Sequence, residues 1–329
     1  MKAIVYHDYG SPDVLRLEEL KKPLPKENEV LIKVDAASAN AADGHLLRGT
    51  PFVVRFDSGL RKPRKKILGA DVSGEVESIG KNVTQFQTGD EVFGDLSSCG
   101  CGSFAEYVCA PADQLVLKPT NLTIEDAAAI PMAAVTALQG LRDRGGLQSG
   151  QTVLINGASG GVGTFAVQIA KALGAEVTAV CSTSKIETVR SLGADHVIDY
   201  TQENFTEQAQ RYDLILAANG NLPISAYKQA LAPNGTYVCS GGSMKQIFQA
   251  MLLGSFTTMG SNQKMTGLMA KPNQADLTFV KELVEAEKVT PLIDRRYPLP
   301  QLPDAMRYLN EGRAKGKIII NIGTVQQSV

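Results

Sequence analysis

The chain has no tryptophan, only three histidines, and 6% aromatic residues in 329 positions. His7, His45 and His196 are scattered, so a histidine-built metal centre is not expected. An excess of charge of either sign is also missing. Thirty-three Lys and Arg stand against 34 Asp and Glu, for a net charge of −1, so neither nucleic acid nor a membrane surface is the expected partner. No apolar run approaches membrane-spanning length. Cysteine is sparse and odd in number, at Cys99, Cys101, Cys109, Cys181 and Cys239. With Met1–Tyr6 reading as a strand and not a targeting segment, this predicts reduced thiols and a cytoplasmic location. The glycosylation-like triplets starting at Asn82, Asn121 and Asn204 are then coincidental.

What the chain does have is length enough for two domains and 43% hydrophobic residues to fill them. Up to residue 120 it reads as short strands broken by turns: Leu31–Ala36, Val72–Gly80, Gly89–Gly94 and Ser103–Val108. After Pro119 the rhythm changes. Thr123 caps an alanine-rich helix start, and apolar runs then alternate with helical patterns at Val153–Ile155, Val177–Val180, His196–Ile198, Asp213–Ala217 and Thr236–Cys239. That alternation predicts a doubly wound parallel sheet. A further strand is expected at Phe256–Gly260, a helix at Leu277–Val284, and a last strand at Lys317–Ile322.

The most informative stretch is Gly157-Ala158-Ser159-Gly160-Gly161-Val162-Gly163, between an apolar strand and an amphipathic helix. A glycine turn opening a helix brings free N–H groups and the positive helix end to an anion, which suits a dinucleotide pyrophosphate. The spacing is Gly157-x-x-Gly160-x-x-Gly163, with Ala158 where the strict pattern has its first glycine. An NAD site would carry an acid about 20 residues further on. Here the next strand ends in Cys181-Ser182-Thr183-Ser184-Lys185, hydroxyls and a cation, which points to the 2′-phosphate of NADPH. Loops after later strands, with Asn219, Ser240 and Gly241, are expected at the nicotinamide, and Asn321 is a candidate to reach the same region.

Leu68–Val76, Gly89–Gly94, Gly102–Tyr107, Ala133–Leu138 and Leu192–Asp195, in this order, resemble the medium-chain dehydrogenase/reductase superfamily, in its zinc-free quinone oxidoreductase (zeta-crystallin-like) and enone reductase branch. The resemblance covers nearly the whole chain. It implies an α/β protein with a Rossmann doubly wound parallel sheet, over 122–265, plus a GroES-like β-rich catalytic domain, over 1–121 completed by 266–329. The active site would lie in the cleft, and a homodimer would form through Rossmann edge strands. It also implies that Asn40 and Thr136 contact the cofactor, and that Ser182, Lys185 and Tyr200 hold its 2′-phosphate.

Zinc-dependent members place a thiolate where this chain has Ser38 and a Gly-His-Glu segment where it has Gly69-Ala70-Asp71. Alanine ligates nothing, so no catalytic metal is expected. Cys99, Cys101 and Cys109 lack a fourth ligand for a structural zinc, and a redox role for the Cys99/Cys101 pair stays open. Without a Lewis acid, the expected acceptors are quinones or α,β-unsaturated carbonyls, electrophilic through conjugation. Asp43 and His45 lie near the expected substrate pocket, with no general acid standing out. Residues 50–63 read equally as a substrate entrance or a surface loop with a basic cluster from Arg61 to Lys66. The alternatives are an alcohol dehydrogenase-type activity and a non-catalytic NADPH-binding protein.

Overall fold

Turn-bounded apolar runs in the first part of the chain become β1 (Lys2–Val5), β2 (Arg16–Glu19), β3 (Glu29–Ala39), β4 (Asp71–Ile79), β5 (Glu91–Asp95), β6 (Tyr107–Pro111) and β7 (Leu115–Leu117). Among them lie α1 (Ala41–Arg48) and α2 (Val54–Ser58), followed by α3 (Ile124–Ala127) and α4 (Pro131–Leu138). The alternating stretch yields β8 (Thr152–Asn156), α5 (Gly161–Ala172), β9 (Glu176–Cys181), α6 (Ile186–Ser191), β10 (His196–Asp199), β11 (Tyr212–Ala217), α7 (Ile224–Ala230), β12 (Leu231–Cys239) and β13 (Lys264–Gly267). Then come α8 (Gln274–Glu285), β14 (Ile293–Pro298), α9 (Leu302–Asn310) and β15 (Lys317–Asn321). A computed structural model describes residues 1–220, 222–242, 246, 249–250 and 260–323, with Asp57 described by its backbone alone.

The chain divides into two units, one of Met1–Met132, Pro272–Glu285 and the chain from Pro291 onward, the other of Ala133–Lys271 and Ala286–Thr290. Residues 122–132 group with the first unit for a visible reason. The Met132 N–H donates to Asp71 Oδ1 (2.8 Å), and Ala128 and Ala129 pack on Ala36 and Ile319. Residues 266–271 stay with the second, because β13 pairs with β12. Thr290 is held there too, by Gln168 bonding both its N–H (2.8 Å) and its carbonyl (3.0 Å).

In the second unit six strands run parallel in the order β10-β9-β8-β11-β12-β13. This is the dinucleotide-binding order, reversing direction at β8. Strands buried on both faces explain the near-continuous apolar runs. The sixth strand is β13, while Phe256–Met259, where a strand was expected, lie outside the described residues.

In the first unit the main sheet runs β14-β15-β3-β4-β5-β7, with β6 also on β3. The strand expected at Ser103–Val108 starts only at Tyr107. Phe104 and Ala105 are fully buried, but they meet β1 through single contacts (Ile4 N–H to Phe104 O, 2.9 Å; an Ala3–Ala105 bridge) and not a ladder. Thr123 caps α3 as expected, accepting from the Asp126 N–H at 3.1 Å. Among the described residues no helix is long and apolar enough to cross a membrane.

Candidate active site

In the second unit the candidate cofactor residues gather at one place, the carboxyl-terminal edge of the parallel sheet. Gly157 follows β8, Ser182 follows β9, Tyr200 follows β10, Asn219 follows β11 and Ser240 follows β12. Backbone bonds tie each loop to a neighbouring strand's end. Gly157 and Ala158 N–H reach Val180 O, Tyr200 N–H reaches Cys181 O, Ala218 and Asn219 N–H reach Asn156 O, and Ser240 and Gly241 N–H reach Ala217 O, all at 3.0–3.2 Å.

The glycines of the turn do different work. Gly157 takes φ +84°, a left-handed conformation, with Asn219 packed where a Cβ would stand. Gly163 lies against Gly157 O, and a Cβ there would come within 2.1 Å of it, so α5 and β8 pack backbone to backbone. A Cβ on Gly160 would meet only Gly157 O, at 3.6 Å, so this side is open to a ligand. Gly160 caps the twelve-residue α5 with no side-chain bond, leaving first-turn N–H groups at Gly161, Val162 and Gly163 for an anion. A pyrophosphate fits this cradle.

At the end of β9, Ser182 precedes a short turn and makes no capping bond, and Tyr200 is 59% exposed, open to a ligand. Thr183 behaves differently. Its hydroxyl donates to Asp199 Oδ2 (2.5 Å) and lies 3.1 Å from Thr201 Oγ1. Asp199, an acid in this neighbourhood that the sequence did not expose, sits across from Cys181 in register. The Thr183 hydroxyl bond holds its carboxyl below the ordinary value. Counting along the following strand misses it, because it arrives from the next one. Thr136 is buried on α4.

In the first unit, a buried polar cluster forms where β3, β4 and β15 meet α1. Ser38, Asp71 and Asp95 sit opposite one another on β3, β4 and β5. Asp71 Oδ2 accepts from Ser38 Oγ (2.5 Å), Asn40 Nδ2 (2.9 Å) and Lys317 Nζ (3.1 Å). Lys317 Nζ also donates to Asn40 Oδ1 at 2.6 Å, and Asn40 Nδ2 reaches Ser38 O at 3.3 Å. The Asn40 amide is thus held in one orientation.

Asp43, on the first turn of α1, is fully buried and accepts from the Asn40 N–H (2.9 Å) and the Gly69 N–H (3.0 Å). Burial pushes its carboxyl up to about 7, despite these bonds. Burial and the facing Asp71 carboxylate push Asp95 up to about 6. His45 is turned elsewhere, its Nδ1 3.0 Å from Thr50 O. Asn321 stands at the far end of β15 from Lys317, about 13 Å along the strand, opposite Ala36, with its Oδ1 buried and unpartnered among the described residues. The residue that reaches Asn40 from β15 is therefore Lys317, which the sequence did not mark.

Zinc does not fit this cluster. Ala70 offers no donor, the Ser38 hydroxyl is spent on Asp71, and Asp71 already faces an ammonium. Among the described residues no group of three His, Cys, Asp or Glu is placed to hold a metal ion. The five cysteines are unpaired. Burial raises the Cys99 thiol to about 11 and the Cys101 thiol further, which disfavours the thiolate.

Residues 26–120 match the alcohol dehydrogenase GroES-like domain, 131–220 the alanine dehydrogenase/PNT C-terminal domain, and 192–320 a domain described as zinc-binding dehydrogenase. The chain is 35% identical to an Arabidopsis thaliana chloroplast envelope quinone oxidoreductase homolog, over 97% of this chain and 98% of that protein. It is 34% identical to an NADPH-dependent alkenal/one oxidoreductase of the same plant, chloroplastic, over 97% and 79%. The solved quinone oxidoreductase of Coxiella burnetii superimposes with a TM-score of 0.87 at 30% identity, over 98% of this chain and 99% of that one. With likeness along nearly its whole length, a dinucleotide-binding strand order and a GroES-like partner unit, the chain belongs to the medium-chain dehydrogenase/reductase superfamily of oxidoreductases.

Proposed function

We propose that the chain is an NADPH-dependent reductase that passes hydride to a quinone, or to the β-carbon of an α,β-unsaturated carbonyl, without a metal. The observation that carries this reading is the Lys317–Asp71 pair, an internal ammonium already facing the one carboxylate beside the donor-less Ala70. Without a Lewis acid, the acceptor must already be electrophilic, as conjugated carbonyls are. The relatives named for quinone and alkenal/one reduction support the same class.

The bound cofactor supplies the hydride from its nicotinamide ring. The chain's own residues position it. The bare N-terminus of α5 holds the pyrophosphate, Ser182 and Lys185 the 2′-phosphate, and Tyr200 lies alongside. Asn219, Ser240 and Gly241 back the nicotinamide, with Asn40, Thr136 and Asn321 as further contacts. Thr183 supports this pocket indirectly, by engaging Asp199. A homodimer formed through the six-stranded sheet's edge, and a cytoplasmic location supported by five unpaired cysteines, complete the reading.

The deciding experiment follows NADPH oxidation across a panel of quinones and enones, with and without a chelator, beside NADH. Oxidation by a conjugated acceptor, indifferent to the chelator, is expected. Zinc-dependent alcohol oxidation, or tight NADPH binding with no acceptor reduced, would overturn it.

A further inference from the structure

Exposed apolar side chains are unevenly placed among the described residues. Of nine large hydrophobic residues standing exposed there, four fall in one short segment: Phe52 (60%), Val53, Phe56 (65%) and Leu60. Phe52, just before α2, and Phe56, on it, form an edge-to-face pair with centroids 5.8 Å apart. The same stretch, residues 52–66, carries six cations and a single acid, Asp57, in a chain whose total charge is −1. Lys62 is paired with Asp8 and Arg55 lies over the Tyr9 ring, but Arg61, Arg64, Lys65 and Lys66 have no ion-pair partner among the described residues.

The segment is held in place. Tyr9 Oη donates to Gly59 O (2.6 Å) and lies 2.8 Å from Ser58 Oγ, Arg55 Nε donates to Gly49 O (3.0 Å), and the Arg64 N–H to Ser58 O (2.8 Å). Beside it opens a cavity of about 300 Å³, with Tyr6, Leu46 and Leu68 in its wall and Arg64, Lys65 and Ser98 among its polar lining.

From this arrangement we propose that residues 52–66 dock the enzyme on an anionic phospholipid surface. Phe52, Val53, Phe56 and Leu60 enter the headgroup boundary, while Arg61, Arg64, Lys65 and Lys66 meet the lipid phosphates. Charge selects this occupant. Aromatic tips beside cations with no ion-pair partner among the described residues are the composition of an interfacial element, and a cavity with two cations and apolar side chains in its lining takes a phosphate-bearing headgroup. The balanced total charge concealed this local asymmetry. The inference rests on the proposed function in one respect: quinones and enones with long chains dissolve in bilayers, so docking brings the enzyme to its acceptor.

The test is co-sedimentation of the full chain with vesicles of phosphatidylcholine alone, or mixed with phosphatidylserine. Binding to the mixed vesicles only is expected, weakening with salt. Phe52→Ser/Phe56→Ser should abolish it, and Lys65→Gln/Lys66→Gln should weaken it about fivefold per cation removed. Retained NADPH binding and an unchanged thermal midpoint establish that the variants fold. No sedimentation, equal binding to both vesicles, or variants that bind as the wild type would overturn docking. Inorganic phosphate that binds the chain while vesicles do not would assign the cations to a free anion and equally overturn it. Vesicle binding without any reductase activity would instead defeat the proposed function and leave docking standing.

Discussion

Lys317 sets its ammonium 3.1 Å from the Asp71 carboxylate with both side chains almost wholly buried, 3% and 0% exposed. A buried ion pair is tolerated only when its remaining donors and acceptors are met. Here Asp71 accepts from Ser38, Asn40, Lys317 and the Met132 N–H, and Lys317 bonds Asn40 as well. The pair fixes the Asn40 amide between Lys317 and Asp71.

Removing one partner should therefore be severe. Lys317→Met leaves Asp71 charged, buried and uncompensated, and is expected to cost about 3–5 kcal/mol of stability. Lys317→Met/Asp71→Leu should recover part of it. Thermal and denaturant midpoints check this; a single variant as stable as wild type would refute the buried-pair account.

Two carboxyls give the unit a pH dependence of definite sign. Asp43 and Asp95 are raised to about 7 and about 6 from 3.8, so the folded chain keeps their protons to higher pH than the unfolded one. Their contribution to stability is complete below pH 3.8 and is lost as pH rises through 6 and 7. Asp43→Asn should lose its share of this slope, and should destabilise by about 1–3 kcal/mol because one backbone N–H loses its acceptor. Thermal midpoints across that window, with the wild type melting in parallel with the variant, would count against it.

The glycines should separate folding from binding. Gly163→Ala drives a Cβ into Gly157 O and should cost about 1–3 kcal/mol. Gly160→Ala has room, should shift stability by no more than about 0.5 kcal/mol, and should weaken NADPH binding roughly tenfold, the equivalent of one hydrogen bond. Fluorescence titration and melting of the same samples test both.

Cofactor choice should reside at the end of β9. Lys185→Ala is expected to raise the KM for NADPH about ten- to hundredfold, as expected for a lost charged hydrogen bond, while leaving NADH almost unaffected. Equal loss with both cofactors would remove Lys185 from the 2′-phosphate. Asp199→Asn should favour NADPH further, since its charge lies beside Thr183.

Much of the fold was legible because burial writes itself into composition. Strands β8 to β12 are apolar runs, and Gly157 to Gly163 stands between a strand and a helix. β13 and β14 were not legible, being short or charged (Lys-Met-Thr-Gly; Ile-Asp-Arg-Arg-Tyr-Pro), and held by pairing with β12 and β15. Lys317 was hidden for a different reason. A lysine between a glycine turn and Ile318-Ile319-Ile320 reads as a solvated strand end, and nothing local reveals that Asp71 waits for it. The signal was indirect: Asp71, a carboxylate without the zinc ligands that accompany an acid there in metal-dependent members, needed some other cation.

The two members of that pair are 246 residues apart in the chain. At a synthesis rate of about 5–20 residues per second, Asp71 emerges roughly 12 to 50 s before Lys317. In that interval both pieces of the six-stranded unit, Ala133–Lys271 and Ala286–Thr290, are made. The β-sheet around Asp71 cannot close over an unpaired carboxylate so cheaply, nor gain β15 beside β3. The ion pair, and with it the β15–β3 pairing, can therefore form only after the middle of the chain has been made, when its two flanks meet.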